Sequence, residues 1–249
     1  MCRLPPTKQL ATGILPGDCY LTGTMNNGTP YIDVHTHNHA EMEDQRRIVS
    51  LRLEETGVHT PSPAFGSVGV HPWDADGRDD TQDRQLLGQV VEEPWCIAVG
   101  EIGLDRVHGP DLAQQRRVLD AQLDIAAVAG LPVIFHCVRA HADLMQLRKQ
   151  RRDTNPWIIH GFTGHAELAG QLLDMDFHLS FGEALLEIGS KARKALTSMP
   201  LDRLFFETDE SEVDIRRLYR EAADLLFMEE TEVRSAVATN FERCFRVQA

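Results

Sequence analysis

Tyr31-Ile32-Asp33-Val34-His35-Thr36-His37 is a short apolar run that ends on two histidines. Residues two apart on a strand point to the same side, so both imidazoles can reach one cation. An HxH pair by itself is equally compatible with solvated loop histidines. Its place at the end of an apolar strand is what favours a ligand pair. His39 continues the alternation but is expected beyond the strand, in the loop.

The same pattern recurs along the chain. Eight short apolar runs read as strands: Tyr31–Val34, Ile48–Leu53, Phe65–Val70, Cys96–Gly100, Pro132–Phe135, Trp157–Ile159, Phe177–Ser180 and Leu204–Phe206. Amphipathic stretches alternate with them, which is the signature of βα units and a parallel sheet. Helices are expected over Asp111–Ala129, Ala166–Met175, Glu183–Ser198, Ser211–Phe227 and Glu229–Phe245, with Gly130 as a C-cap. The crossovers after the first two strands are short. The fold class is thus α/β, a compact TIM-type (β/α)₈ barrel over residues 31–249, preceded by an irregular, proline- and glycine-bearing arm at residues 1–30. Barrels of this type commonly run to about 250 residues.

Side chains at strand ends meet at one mouth of such a barrel. Glu101 follows the fourth strand, His136 the fifth, His160 the sixth and Asp209 the eighth. Each has an ordinary structural explanation when taken alone. Glu101 can pair with Arg106 or Arg139, either histidine can sit satisfied in a core, and Asp209 can cap the next helix, a role Ser211 can share. Four histidines and two carboxylates converging on one face instead suit Zn²⁺, Mn²⁺ or Co²⁺ better than an oxygen-only Mg²⁺ or Ca²⁺ cage. Six donors exceed one tetrahedral ion and suffice for two that share a carboxylate. Asp105 is expected to orient a ligand or the loop, and Cys137 to be buried rather than coordinating.

Composition narrows the function. The formal net charge of −13 argues against a broad basic face for long duplex DNA. It leaves room for a local cation centre acting on an anionic substrate, because two divalent ions outweigh two carboxylates. No apolar run approaches the ~20 residues that span a membrane, and the first residues hold no secretory h-region. The five cysteines form no CxxC pair, which fits a reducing cytoplasm. No obligate protein partner is implied.

Together IDVHTH (32–37), VGVHPWD (68–74), VGEIGLD (99–105), PVIFHCVRA (132–140), IIHGFTG (158–164) and FFETD (205–209) resemble the TatD family of metal-dependent deoxyribonucleases, within the amidohydrolase-like barrels. The resemblance implies two divalent metal ions. His35, His37 and Asp209 would hold one, His136 and His160 the other, and Glu101 would bridge them. It also implies a metal-activated water that cleaves phosphodiester bonds at DNA ends or in single strands, with Asp209 taking its proton. Mg²⁺ joins the candidate metals on this ground. His71 would face the substrate, although a loop hydrogen bond before Pro72 is an equal reading. Trp73 and Phe162 can stack on a base or pack under the loops.

Two departures bear on the substrate. The family commonly follows its last aspartate with a small residue and proline, where this chain has Glu210 and Ser211. Its arginine commonly stands nearer the third-motif histidine than Arg139 does, which weakens Arg139 as a phosphate clamp. A smaller phosphate ester, an amide-like substrate, or a metal-binding homologue without catalysis are the alternatives. Imidazole ligands further imply metal affinity that falls as pH drops through about 6.5.

Overall fold

The computed structural model describes residues 28–40, 42–57, 65–78 and 80–249. Residues 1–27 of the expected arm lie outside these described residues.

Eight strands form one parallel sheet in sequence order: β1 (Tyr31–Thr36), β2 (Gln45–Arg52), β3 (Phe65–Gly69), β4 (Cys96–Asp105), β5 (Val133–Val138), β6 (Trp157–Ile159), β7 (Phe177–Phe181) and β8 (Leu204–Phe206). Just beyond β8 the chain returns to β1. Asp209 N–H donates to the His35 carbonyl and His37 N–H to the Asp209 carbonyl, each at 3.0 Å. These bonds close the barrel and set Asp209 beside the histidine pair. Strands buried on both faces read as continuous apolar runs, as the Cys96–Gly100 half of the fully buried β4 does.

Among the described residues, seven helices pack outside: α1 (Asp80–Val90), α2 (Leu112–Ala129), α3 (His141–Gln150), α4 (Ala166–Leu173), α5 (Lys191–Leu196), α6 (Ile215–Leu226) and α7 (Glu230–Phe245). The capping chemistry is legible. Asp111 accepts the Gln114 amide at the start of α2, and Gly130 ends it at φ 70°. Among the described residues, no α-helix lies between β1 and β2 and a 3₁₀ turn (Leu53–Gly57) is the one helical element between β2 and β3, so the first crossovers are as abbreviated as expected. From α6, the buried Tyr219 hydroxyl bonds both the amide and the carbonyl of Ile32 at 3.0 Å, which fixes the strand carrying the histidine pair.

Two sequence expectations change. The single helix expected over Glu183–Ser198 is a 3₁₀ turn (Glu183–Leu186) followed by α5. Gly189 at φ 84° cannot continue a right-handed helix, and Ser190 restarts one by accepting the Arg193 amide. Strand β4, expected to end at Gly100, continues to Asp105 because Ile102 through Asp105 keep pairing with β5. Glu101 therefore stands inside a strand. Its neighbour Gly103 is a site of close approach, where an added Cβ would lie 1.9 Å from the His136 carbonyl oxygen.

Candidate metal centre

Histidines and carboxylates from β1, β4, β5, β6 and the segments after β3 and β8 meet at the carboxyl ends of the strands. His35 is fully buried on β1, with the His37 ring edge-on at 5.2 Å. Asp209 Oδ1 lies 3.5 Å from His35 Nε2 and 3.6 Å from His37 Nε2. Glu101 Oε2 lies 3.5 and 3.7 Å from the same two nitrogens. The other oxygen, Glu101 Oε1, faces elsewhere: 2.7 Å from His136 Nδ1, 2.8 Å from His160 Nε2 and 3.2 Å from His71 Nε2. One carboxylate thus turns an oxygen to each of two donor sets.

The donor chemistry fits divalent cations. Two ligands each about 2.1 Å from a tetrahedral ion lie about 3.4 Å apart, close to the 3.5–3.7 Å spacing of the first set. Both ring nitrogens of His35 are buried without a hydrogen-bond partner, which is costly unless a ligand takes one of them. Donor atoms fall into three overlapping groups that could each hold a metal: His35–His37–Asp209, His35–Glu101–His160 and His71–Glu101–His136.

Charge follows the geometry. Burial opposes protonation of His35, as does nearby His160, yet the Asp209 and Glu101 carboxylates 3.5 Å away carry its pKa up to about 9. Burial likewise opposes protonation of His160, but Glu101 and Glu207 raise it well above the ordinary histidine value. Burial pushes Glu101 up, and the histidines around it outweigh that and hold it well below the usual carboxylate range. His71 is held low, chiefly by burial.

Outer partners fix the rings. Asp105 Oδ2 lies 3.2 Å from His136 Nε2 and accepts the Trp73 indole N–H at 2.7 Å. Burial raises the Asp105 pKa, but the indole and the amides of Val107 and His108 bring it down to about 2. Glu207 Oε1 lies 3.2 Å from His160 Nδ1. Asp33, fully buried, accepts the Thr208 amide at 3.0 Å and its hydroxyl at 2.7 Å, anchoring the residue before Asp209. Burial lifts the Asp33 pKa to about 6, so it is mainly ionised at neutral pH. Asp33→Ala should cost about 2–4 kcal/mol, since two bonds to a charged acceptor are lost. Turnover should drop as Asp209 loses its anchor. A denaturant midpoint and a rate assay at neutral pH check both.

The structure brings together all six expected ligands, His35, His37, Glu101, His136, His160 and Asp209, and adds His71. The His71 ring faces Glu101 while its Nδ1 accepts the Trp73 amide at 3.2 Å, so the loop hydrogen bond is also present. Arg106 pairs with Asp143 rather than Glu101, and α6 is capped by Asp214 rather than Asp209. Arg139 is exposed after β5 and makes no ion pair among the described residues. Trp73 is 46% exposed at the lip. Phe162 is a correction. At 1% exposure its ring packs against Phe181 and His141, beneath Gly164, and offers no face to a base. Cys137 is half-buried, its thiol pushed up to about 12 by burial, which suits packing and not coordination. Glu207 and Asp33 lie within the FFETD and IDVHTH motifs, where neither stands out from an ordinary acid by sequence alone. Their alternation with Asp209 and His35 on the same strands was the available signal.

The eight-stranded parallel barrel thus gathers a histidine–carboxylate cluster able to hold metal at the carboxyl ends of its strands. A model of the TatD-related DNases matches residues 41–246, and the chain belongs to that family. It is 30% identical over 172 residues to "Uncharacterized metal-dependent hydrolase YjjV" of Escherichia coli (strain K12), covering 68% of this chain and 64% of that one. It is 34% identical over 149 residues to "3'-5' ssDNA/RNA exonuclease TatD" of Cronobacter turicensis, covering 58% and 56%. The aligned stretches thus span less than two thirds of these relatives' lengths. The crystal structure of the Escherichia coli K12 TatD homologue YjjV superposes with a TM-score of 0.74 at 24% identity, covering 87% of this chain and 98% of that one. No described helix is long and apolar enough to cross a membrane.

Proposed function

We propose that this chain is a nuclease that hydrolyses phosphodiester bonds at the ends of single-stranded DNA, using two divalent ions. The observation that carries the reading is the Glu101 carboxylate, with one oxygen toward His35 and His37 and the other toward His136 and His160. His35, His37 and Asp209 would hold one ion and His136 and His160 the other, with Glu101 between them. Bound there, the ions would activate a water and stabilise charge on the phosphoryl oxygens.

The chain supplies the rest. Asp209 leaves 44% of its side chain open toward the mouth and accepts the proton of the attacking water. Arg139 is free to meet a phosphate, and Trp73 offers a base a face that its bond to Asp105 holds still. Support for nucleic acid comes from the relative named an ssDNA/RNA exonuclease. The net charge of −13 supports a short or single-stranded substrate over long duplex. The described cysteines are free thiols, in keeping with a reducing, cytoplasmic setting.

A substrate panel tests this. Protein loaded with Mn²⁺ or Zn²⁺ should shorten end-labelled single-stranded DNA faster than duplex. Turnover confined to small phosphate esters or amides would replace the nuclease reading. Within the panel, Trp73→Ala should raise KM for ordinary ends by roughly 5–150-fold, the range expected for one lost stacking contact. Trp73→Phe should recover most of that. An oligonucleotide with an abasic end should register only the lost indole bond to Asp105 and so lose clearly less in Trp73→Ala, and equal losses on both substrates would remove Trp73 from base recognition.

A further inference from the structure

Glu207 has no part in the ligand set above, yet its placement is specific. It follows β8, two residues before Asp209, and is 1% exposed. Its Oε1 accepts the amide of Gly161 and lies 3.2 Å from His160 Nδ1. The opposite nitrogen, His160 Nε2, is 2.8 Å from Glu101 Oε1. His160 therefore lies between two buried carboxylates, one on each side of the ring. Its ring also stacks on His35 at 4.1 Å, so it has little freedom to turn. Gly161 at φ 58° carries the backbone past the Glu207 side chain and presents the amide that holds Oε1 in place.

We propose that Glu207 is the positioning residue of His160, holding the imidazole as the Nδ1–H tautomer so that the Nε2 lone pair points at the cation beside Glu101 Oε1. A buried carboxylate on the far nitrogen of a ligand histidine fixes its ring and strengthens it as a donor. Asp105 stands in the same relation to His136, whose other nitrogen faces the same Glu101 oxygen. Glu207 acts from the segment just after β8 that also carries Asp209, so a single segment supports a donor in each set. Nothing within hydrogen-bonding distance in the structure links Glu207 to His37 or Asp209, and its effect falls on one site only. This inference rests on the two-cation reading of the cluster.

The test is calorimetric titration of the full chain with Zn²⁺ alone, without substrate, for the wild type, Glu207→Gln and Glu207→Ala. Wild type should take up two ions. Glu207→Ala should weaken one step by about 10–100-fold and leave the other unchanged. Glu207→Gln keeps a carbonyl acceptor for Nδ1–H and should recover much of that loss. Long-range ¹H–¹⁵N spectra of the zinc-loaded wild type and Glu207→Gln should place the His160 proton on Nδ1, a readout that does not depend on the alanine variant folding. Equal losses at both steps, unchanged binding in Glu207→Ala, or a proton on Nε2 would overturn the assignment. Uptake of no metal by the wild type would overturn the two-cation reading with it.

Discussion

Glu101→Ala should abolish hydrolysis, lowering kcat/KM on single-stranded DNA on the order of 10⁴-fold, about 5.5 kcal/mol of barrier. The size follows from position. Glu101 is 8% exposed and is the one group within 3.7 Å of His35, His37, His71, His136 and His160 together. Its removal takes from the five imidazoles the one carboxylate they share, leaving Asp209, Asp105 and Glu207 at the edges of the cluster, and each donor set loses an oxygen. Glu101→Gln is the informative companion. It keeps the shape but presents one oxygen instead of two, so one set should stay nearly intact while the other loses its ligand. Metal content and rate, measured on the same preparations, check this. Full activity in purified Glu101→Ala would point to a contaminant, or to chemistry elsewhere.

Metal affinity should climb with pH well past the ordinary histidine range. In the metal-free protein His35 keeps its proton up to about pH 9, and His160 is raised as well. A divalent ion binds only the neutral ring, so uptake must expel that proton. Each expelled proton steepens the dependence by about tenfold per pH unit, so one proton gives roughly 10³-fold between pH 6 and 9. Affinity should level off only above about pH 9, in place of the 6.5 suggested by free histidine. Stability of the metal-free protein runs the other way. The raised histidines contribute in full below the unfolded value near 6.5; the His35 contribution is lost as pH rises through about 9, and that of His160 is likewise lost on the alkaline side. Proton release measured in two buffers of different ionisation enthalpy, together with melting curves of metal-free protein, checks both directions. Affinity that is flat from about pH 6 to 9 would remove His35 and His160 from the ligand set.

Much of this was legible in the sequence because strand ends are legible. A run such as Trp157–Ile159 ending on His160, or Leu204–Phe206 leading to Asp209, marks both the element and the side chain it delivers. Barrel topology then does the gathering. The rest depends on contacts between distant residues. Phe162 lies a few residues past β6, as a stacking residue would, but burial against Phe181 is decided by a different strand. The break at Gly189 was hidden because a lone glycine in an amphipathic stretch is often tolerated within a helix. Glu207 and Asp33 pass in sequence for ordinary acids. Their partners, His160 and Thr208, lie 47 and 175 residues away.

The central claim is that one carboxylate separates two cations. Anomalous diffraction from crystals grown with Mn²⁺ or Zn²⁺ tests it most directly. Two peaks about 3.5–4 Å apart are expected, with one Glu101 oxygen bound to each. A single peak, or two that both lie away from Glu101, would contradict the account.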